Sequence, residues 1–128
     1  MQRPLASIII NNFNYARYLG EAVDSALNQT YPNVEVIVVD DGSTDNSREV
    51  VESYGDRIRS VFKSNGGQPS AINAGFQVSR GELIANLDSD DLYDRTAIER
   101  VVNTWSSNAV KAHFPLRVID SVGADCGA

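Results

Sequence analysis

The sequence predicts an α/β fold in which a mostly parallel sheet carries helices on both faces. Short, apolar, β-branched runs alternate four times with segments whose apolar residues recur every three or four positions. The strand-like runs are nearly continuous in apolar character, which is typical of parallel strands buried on both sides. The chain has 128 residues, of which 42% are hydrophobic and 22% are charged. We therefore expect one soluble domain over residues 1–128.

The first two strands and the first two helices are predicted within the first 54 residues. Ala6–Ile10 is a β-branched run and predicts a buried strand. Apolar residues in Tyr15–Leu27 recur at helical spacing, and Tyr31-Pro32-Asn33 ends this helix. Val34–Val39 predicts the second strand. A helix over residues 50–54 follows a turn rich in Asp, Gly and Ser.

A third strand and a third helix are predicted next along the chain. Arg59–Lys63 predicts a short strand. Pro69 suits the first turn of a helix, in which we expect Ile72 and Phe76 to be buried. Gly75 is expected to allow close packing between this helix and the sheet.

The last predicted elements are a strand, a helix and a weaker strand. Glu82–Leu87 predicts the fourth strand, and Asp94 is a candidate N-cap for a helix that extends to Trp105. Val110–Ile119 can form a strand, although Pro115 indicates an edge or a break. The nine residues that follow show no periodicity.

Composition excludes several classes of function. Seventeen acidic residues against eleven basic ones give a net charge of −6, which argues against nucleic-acid binding. The only cysteine, Cys126, cannot form an internal disulfide, and one cysteine with one histidine cannot build a zinc site of the usual kind. No apolar run approaches the roughly 20 residues that span a bilayer. We expect a cytoplasmic location, with any membrane attachment supplied by sequence beyond these residues.

Polar loops follow three of the predicted strands. They are residues 11–14, Asp40–Thr44 and Asp88–Asp91. Because parallel strands end at one edge of a sheet, we expect these loops to converge there. Asn, Asp and Gly also favour ordinary turns and helix caps, which is the alternative interpretation. Closely spaced carboxylates recruit hard cations such as Mg²⁺, so the hypothesis is a site for a metal and a diphosphate.

Several other functional motifs are absent. No Gly-x-Gly-x-x-Gly follows the first strand, and no Gly-x-x-x-x-Gly-Lys is present. A calcium loop starting at Asp88 fails at Leu92 and Tyr93, where an oxygen ligand and a glycine are needed. Catalysis by a serine–histidine–aspartate triad is not supported, because the chain has no Gly-x-Ser-x-Gly motif and its only histidine, His113, lies in the late, weaker strand.

Five sequence blocks occur in the order typical of one enzyme family. The blocks are Ser7-Ile8-Ile9-Ile10-Asn11-Asn12-Phe13-Asn14, Gln29-Thr30-Tyr31-Pro32-Asn33-Val34-Glu35, Val38-Val39-Asp40-Asp41-Gly42-Ser43-Thr44-Asp45, Asn65-Gly66-Gly67 with Asn73-Ala74-Gly75, and Leu87-Asp88-Ser89-Asp90-Asp91. Over about residues 5 to 105, the chain resembles the nucleotide-sugar-binding half of a family 2 glycosyltransferase. The resemblance implies a Rossmann-like sheet of the GT-A type.

The resemblance also implies roles for residues near the nucleotide base. Asn11 and Phe13 match the loop that lines the base pocket, where an aromatic ring can stack on the base. Asp41 matches the carboxylate that accepts a hydrogen bond from the base, and Asp40 lies beside it. Asn73 belongs to a block that is expected to contribute to substrate binding.

The acidic motif is expected to hold the metal. By resemblance, Asp90 ligates Mn²⁺ or Mg²⁺, and Asp88 contacts the ribose or a metal-bound water. The expected donor is a sugar carried on a nucleoside diphosphate, with uridine diphosphate the favoured carrier. The expected acceptor is a hydroxyl group of a glycan, a lipid or a small molecule, and the reaction inverts the anomeric carbon.

Two departures from the family pattern affect these expectations. Ile72 stands where many relatives carry a basic residue, so a phosphate contact is missing or is supplied by Gln68 or a backbone N–H. The chain stops near the point where the acceptor-binding half of the family begins, and no residue is assigned as the catalytic base. Asp120 and Asp125 are the only late acids.

Two alternative functions stay open from the sequence. The chain could bind nucleotide sugars without turning them over. It could also be a phosphoacceptor receiver domain, which needs an acidic pair after the first strand and an aspartate after the third. Here Asn11-Asn12 and Ser64-Asn65 occupy those places.

Overall fold

The architecture is a five-stranded parallel sheet with helices on both faces, seen in a computed structural model that describes residues 4–104 and 112–114. The strands are β1 (Ala6–Asn12), β2 (Val34–Asp40), β3 (Arg59–Phe62), β4 (Leu83–Asp88) and β5 (Ala112–Phe114). The helices are α1 (Ala16–Leu27), α2 (Ser47–Glu52), α3 (Gln68–Val78) and α4 (Ala97–Thr104), with a 3-10 turn at Gly55–Arg57. The predicted α/β class is confirmed.

The order of the strands locates the crevice of the sheet. The order is β3-β2-β1-β4-β5, and every described strand pair is parallel. After β1, the chain adds β2 and then β3 on one side. It then crosses back and adds β4 on the other side of β1. Ligands of open α/β sheets bind at the carboxyl edge where the order reverses in this way. Receiver domains have the order 2-1-3-4-5, so the receiver alternative is wrong.

Both faces of the central strand β1 are buried, which explains its unbroken apolar run. Ile8 and Ile10 pack on the face that α1 covers, together with Leu19. Ile9 points to the opposite face and packs in a smaller cluster with Ala71 of α3. The hydrophobic core therefore lies on both sides of β1.

Three strands extend further than predicted, into polar residues: β1 to Asn12, β2 to Asp40 and β4 to Asp88. Asn11 and Asn12 are the last residues of β1, although the sequence predicts a loop there. Asn11 lies opposite Asp88 of β4, and Asn12 lies opposite Asp40 of β2. Backbone pairing continues because it depends on N–H and C=O groups and not on the polarity of the side chains.

The burial predicted for α3 is wrong in part. Ile72 is only half-buried and Phe76 is 37% exposed, whereas Ala71 and Gly75 are the buried residues of this helix. A Cβ atom on Gly75 would lie 2.5 Å from Cγ2 of Ile9. The helix is thus too close to the sheet for large side chains, and the expected close packing at Gly75 is confirmed.

Some predicted features fall outside the described residues. They are Trp105, most of the predicted strand Val110–Ile119, and the residues Asp120, Asp125 and Cys126. Within the described part of the chain, none of the helices combines the length and the apolar character that crossing a membrane requires.

The two glycines in the middle of helices should respond in opposite ways to substitution by alanine. In Gly75→Ala, overpacking against Ile9 typically costs about 1–3 kcal/mol, more than the ~1 kcal/mol gained from helix propensity. In Gly20→Ala the nearest atom to the new Cβ is the Tyr54 hydroxyl at 3.6 Å, an ordinary contact. We expect thermal unfolding to show a lower Tm for Gly75→Ala and a higher Tm for Gly20→Ala. Shifts in the same direction would contradict the packing described for α3.

Candidate functional site

A cleft of about 320 Å³ opens at the carboxyl edge of the sheet. The ends of β1, β2 and β4 contribute to it, together with the loop between β3 and α3. The lining residues are Asn11, Asn12, Phe13, Tyr15, Asp41, Asn65, Gly67, Gln68, Ala71, Asp88, Ser89 and Asp90. Five residues predicted from the sequence are among them: Asn11, Phe13, Asp41, Asp88 and Asp90.

Asp40 does not line the cleft and instead holds two loops together. Its side chain is 5% exposed. Its Oδ1 accepts hydrogen bonds from Asn12 Nδ2 at 2.9 Å and from Ser43 Oγ at 2.7 Å. Its Oδ2 accepts a hydrogen bond from the Ser43 N–H at 3.0 Å. The loops after β1 and β2 are joined at this carboxylate.

Asn73 is also separate from the other predicted residues. It is exposed on α3 and lines a second groove of about 560 Å³. Pro69, Ile72 and Phe76 complete this groove with Gln68, which borders the cleft as well. The structure therefore does not bring Asn73 to the carboxylates.

Asn14 and Asp45 fix the loops at the starts of α1 and α2. Asn14 has a φ of 58°, and its Oδ1 accepts hydrogen bonds from the N–H groups of Thr44 at 2.8 Å and Asp45 at 3.3 Å. The Asp45 carboxylate accepts the N–H of Ala16 at 3.1 Å and that of Ser47 at 2.9 Å. Burial alone raises the pKa of Asp45, but these hydrogen bonds outweigh it and lower the pKa. The sequence pattern does not predict this structural role of the Asp-Gly-Ser-Thr-Asp segment.

Asp41 is the centre of a hydrogen-bond network with the loop that follows β3. Its Oδ1 accepts from Lys63 Nζ at 2.8 Å and from the Gly66 N–H at 2.9 Å. Its Oδ2 accepts from the Gly67 N–H at 2.9 Å and from Asn65 Nδ2 at 3.2 Å. A carboxylate offers about four acceptor positions, so this one is fully used.

The hydrogen bonds to Asp41 determine its ionisation. Asp41 is only 3% exposed, and this burial alone raises the pKa of its carboxyl group. The hydrogen bonds from Lys63, Gly66 and Gly67, with the positive charge of Lys63, outweigh this effect and place the pKa below its ordinary value of 3.8. Lys63 is not among the site residues predicted from the sequence, although its position directly after β3 puts it at the same sheet edge as Asp41.

The turn after β4 brings three carboxylates together. Ligand oxygens of Asp88, Asp90 and Asp91 all lie within 4.8 Å of one another. The Ser89 N–H donates to the Asn11 carbonyl at 3.2 Å, which ties this turn to the end of β1. Hard oxygen donors of this kind suit Mg²⁺ or Mn²⁺, so the residues fit a divalent cation. Of these three carboxylates, only Asp88 and Asp90 are predicted from the sequence as metal ligands.

Tyr93 supports the acidic turn from inside the protein. Its side chain is 5% exposed, its hydroxyl donates to the Asn86 carbonyl, and its N–H donates to Ser25 Oγ at 3.1 Å. Burial, and then the negative charges of Asp88 and Asp91, raise the pKa of Tyr93 well above 10.0. The hydroxyl therefore stays protonated and remains a donor to the backbone of β4.

The cleft also contains polar groups that can recognise a ligand. Gln68 Nε2 donates to Asp88 Oδ1 at 2.7 Å. The Oδ1 atoms of Asn11 and Asn12 are buried and accept no hydrogen bond from any residue that the structure describes. Phe13 is 43% exposed and presents an aromatic side chain at the cleft. The arrangement suits a ligand that combines an aromatic ring with an anion bound through a cation.

Comparison with known sequences identifies similar proteins. The sequence profile of Glycosyl transferase family 2 matches residues 7–123. An uncharacterized glycosyltransferase of Nostoc sp. strain PCC 7120 is 44% identical over 119 residues, which are 89% of this chain and 37% of that protein. This chain thus spans little more than a third of that relative.

Comparison with solved structures gives similar folds. TarS of S. aureus (residues 1–349), solved with UDP-GlcNAc, has a TM-score of 0.66 and 28% identity over 77% of this chain and 30% of that chain. The mannosyltransferase PcManGT of Pyrobaculum calidifontis, solved with GDP-Man and Mn²⁺, has a TM-score of 0.66 and 26% identity over 80% of this chain and 32% of that chain. The predicted GT-A type of fold is confirmed.

Replacing Asp41 by asparagine should destabilise the protein in a pH-dependent way. The folded-state pKa of Asp41 lies below 3.8, so its ionised form stabilises the fold at pH values above 3.8, and this contribution is lost as pH falls through the lowered pKa. We expect Asp41→Asn to cost about 1–3 kcal/mol at pH 7, because Lys63 and two backbone N–H groups lose a charged acceptor. Chemical denaturation at pH 7 and at pH 3 measures this difference.

Asp56→Asn is the matched control, because Asp56 is exposed in the 3-10 turn. It should unfold like the wild type at pH 7. A destabilisation by Asp41→Asn that is equally large at low pH and at neutral pH would contradict the ionic role of Asp41.

Proposed function

Because this chain belongs to glycosyl transferase family 2, we propose that it binds the donor for transfer of a sugar from a nucleoside diphosphate to a hydroxyl group. In this proposal, residues 1–128 are the donor-binding N-terminal part of a GT-A glycosyltransferase. The observation that supports it most is that Asp41 and the pair Asp88 and Asp90 line one cleft with Phe13. The two acidic sites are far apart in the chain, and the parallel strands on either side of β1 bring them to one edge of the sheet.

The base of the nucleotide would bind at the Asp41 end of the cleft. The exposed ring of Phe13 would stack on the base. An N–H of the base would replace Asn65 Nδ2, whose 3.2 Å hydrogen bond is the longest of the four to the Asp41 carboxylate. Asn65 would keep a partner, since Nδ2 also donates to the Asp41 carbonyl at 3.0 Å. Asn11, which lines the cleft, would contribute a further hydrogen bond to the ligand.

The diphosphate would lie at the acidic end of the cleft. Asp90 and Asp88 would hold Mn²⁺ or Mg²⁺, with Asp91 close enough to assist. When bound, such a cation acts as a Lewis acid that offsets the negative charge developing on the leaving phosphate. The protein contributes fixed positions for both ends of the donor and forms no covalent intermediate. By resemblance to its family, the reaction would invert the anomeric carbon.

The solved relatives support a nucleotide sugar as the donor. TarS is seen with UDP-GlcNAc, and PcManGT with GDP-Man and Mn²⁺. We propose uridine diphosphate as the carrier in this protein, with a glycan, a lipid or a small molecule as the acceptor. The reaction would take place in the cytoplasm.

The general base for the acceptor hydroxyl is proposed to lie outside the described residues. The carboxylates that line the cleft are Asp41, Asp88 and Asp90. Asp41 is already held by four hydrogen bonds, and Asp88 and Asp90 are assigned to the cation. We therefore expect the 128-residue chain to bind the donor and to transfer sugar poorly on its own.

Asp90→Ala should abolish most of the metal-dependent affinity for uridine diphosphate. We expect calorimetric titration of the wild type with uridine diphosphate to show tighter binding in Mn²⁺ than in a chelator. Loss of a metal ligand should weaken binding in Mn²⁺ by at least about tenfold and leave binding in the chelator unchanged.

Asp56→Ala provides the control, since it removes an exposed carboxylate that does not line the cleft. It should bind like the wild type in both conditions. Affinity that does not depend on Mn²⁺, or that Asp90→Ala leaves intact, would contradict the proposed function.

A further inference from the structure

The cleft presents an electrostatic problem for an anionic ligand. Its lining includes Asp41, Asp88 and Asp90, and none of the described lining residues is basic. The ammonium group of Lys63 lies near the cleft but is engaged by Asp41 Oδ1 at 2.8 Å and by the Ser64 carbonyl at 2.7 Å. A diphosphate therefore needs donors that are not positively charged, in addition to any cation.

Ile72 lies beside the cleft but not in it. It lines the second groove, on the surface of α3. Gln68 precedes Ile72 by four residues on the same helix, and residues at this spacing are neighbours on one helix face. A polar side chain at position 68 therefore lies where this face of α3 borders the cleft.

The Gln68 side-chain amide has two N–H groups, and its contact with Asp88 needs only one of them. Gln68 is the first residue of α3 and borders both the cleft and the second groove. Its Nε2 donates to Asp88 Oδ1 at 2.7 Å. A carboxamide nitrogen carries two N–H groups, so one can remain on Asp88 while the other points to a ligand in the cleft.

We propose that Gln68 is a donor-binding residue whose amide bridges Asp88 and the diphosphate, an inference that rests on the function proposed above. A hydrogen bond from a neutral amide to a charged phosphate oxygen is charge-assisted and stronger than one between neutral groups. The same amide restricts the orientation of the Asp88 carboxylate without neutralising it. Asp88 thus stays available to a cation while the phosphate gains a contact that needs no basic side chain.

Gln68→Met tests the inference, because methionine has a similar length and no N–H group. Calorimetry would measure the affinity of the 128-residue chain for three probes: uridine diphosphate in Mn²⁺, uridine, and Mn²⁺ alone. We expect the affinity for uridine diphosphate to fall about tenfold. Affinities for uridine and for Mn²⁺ alone should stay within about twofold of the wild type.

Two further variants sharpen the comparison. Gln77→Met changes an exposed glutamine on the same helix that lines neither the cleft nor the second groove, and should bind all three probes like the wild type. Gln68→Glu removes the donor and adds a negative charge, so it should weaken uridine diphosphate binding more than Gln68→Met does. Both positions are exposed, and thermal unfolding should show a Tm near the wild-type value for all three variants.

The outcomes separate this inference from the proposed function. If Gln68→Met binds uridine diphosphate as tightly as the wild type does, the inference about Gln68 is overturned and the proposed function is not. If the affinity of Gln68→Met for Mn²⁺ alone falls as much as its affinity for uridine diphosphate, the inference is also overturned, because Gln68 would then act only on Asp88. A wild-type chain with no affinity for uridine diphosphate would overturn the donor-binding function and the inference with it.

Discussion

The cleft depends on the register in which three parallel strands end. Asn11 of β1 pairs with Asp88 of β4, and Asn12 pairs with Asp40 of β2, so polar residues from all three strands reach one edge together. A shift of one residue in either pairing would turn each side chain to the other face of the sheet and bury charge in the core. The apolar runs that precede these residues fix the register, because both faces of β1 are covered.

Much of the polar sequence at this edge builds the cleft and does not face it. Asp40 joins the loops after β1 and β2, and Asp45 accepts backbone N–H groups at the starts of α1 and α2. Asp41 does both, since it lines the cleft and holds Gly66 and Gly67 in place. Gly66 and Gly67 directly precede Gln68, whose amide donates to Asp88. One short segment thus contacts carboxylates that follow or end the strands on both sides of β1.

The fold and most of the cleft could be predicted from the sequence because they follow from strong local patterns. The four apolar runs and the helical spacing between them define the parallel sheet, and residues such as Asp41 and Asp88 directly follow or end strands. Contacts between loops could not be predicted in the same way. The pairing of Lys63 with Asp41 depends on the path of the loop after β3, which no periodicity encodes. The exposure of Phe76 depends on how closely α3 approaches the sheet, a distance that its hydrophobic pattern does not reveal.

The central claim is that one cleft holds a nucleotide at Asp41 and a divalent cation at Asp90. A crystal structure of the chain grown with uridine diphosphate and Mn²⁺, with diffraction recorded at the manganese absorption edge, tests it most directly. An anomalous peak within coordination distance of Asp90, with the uracil ring against Phe13 and Asp41, is the predicted result. A manganese peak elsewhere, or a nucleotide bound away from Asp41, would contradict the claim.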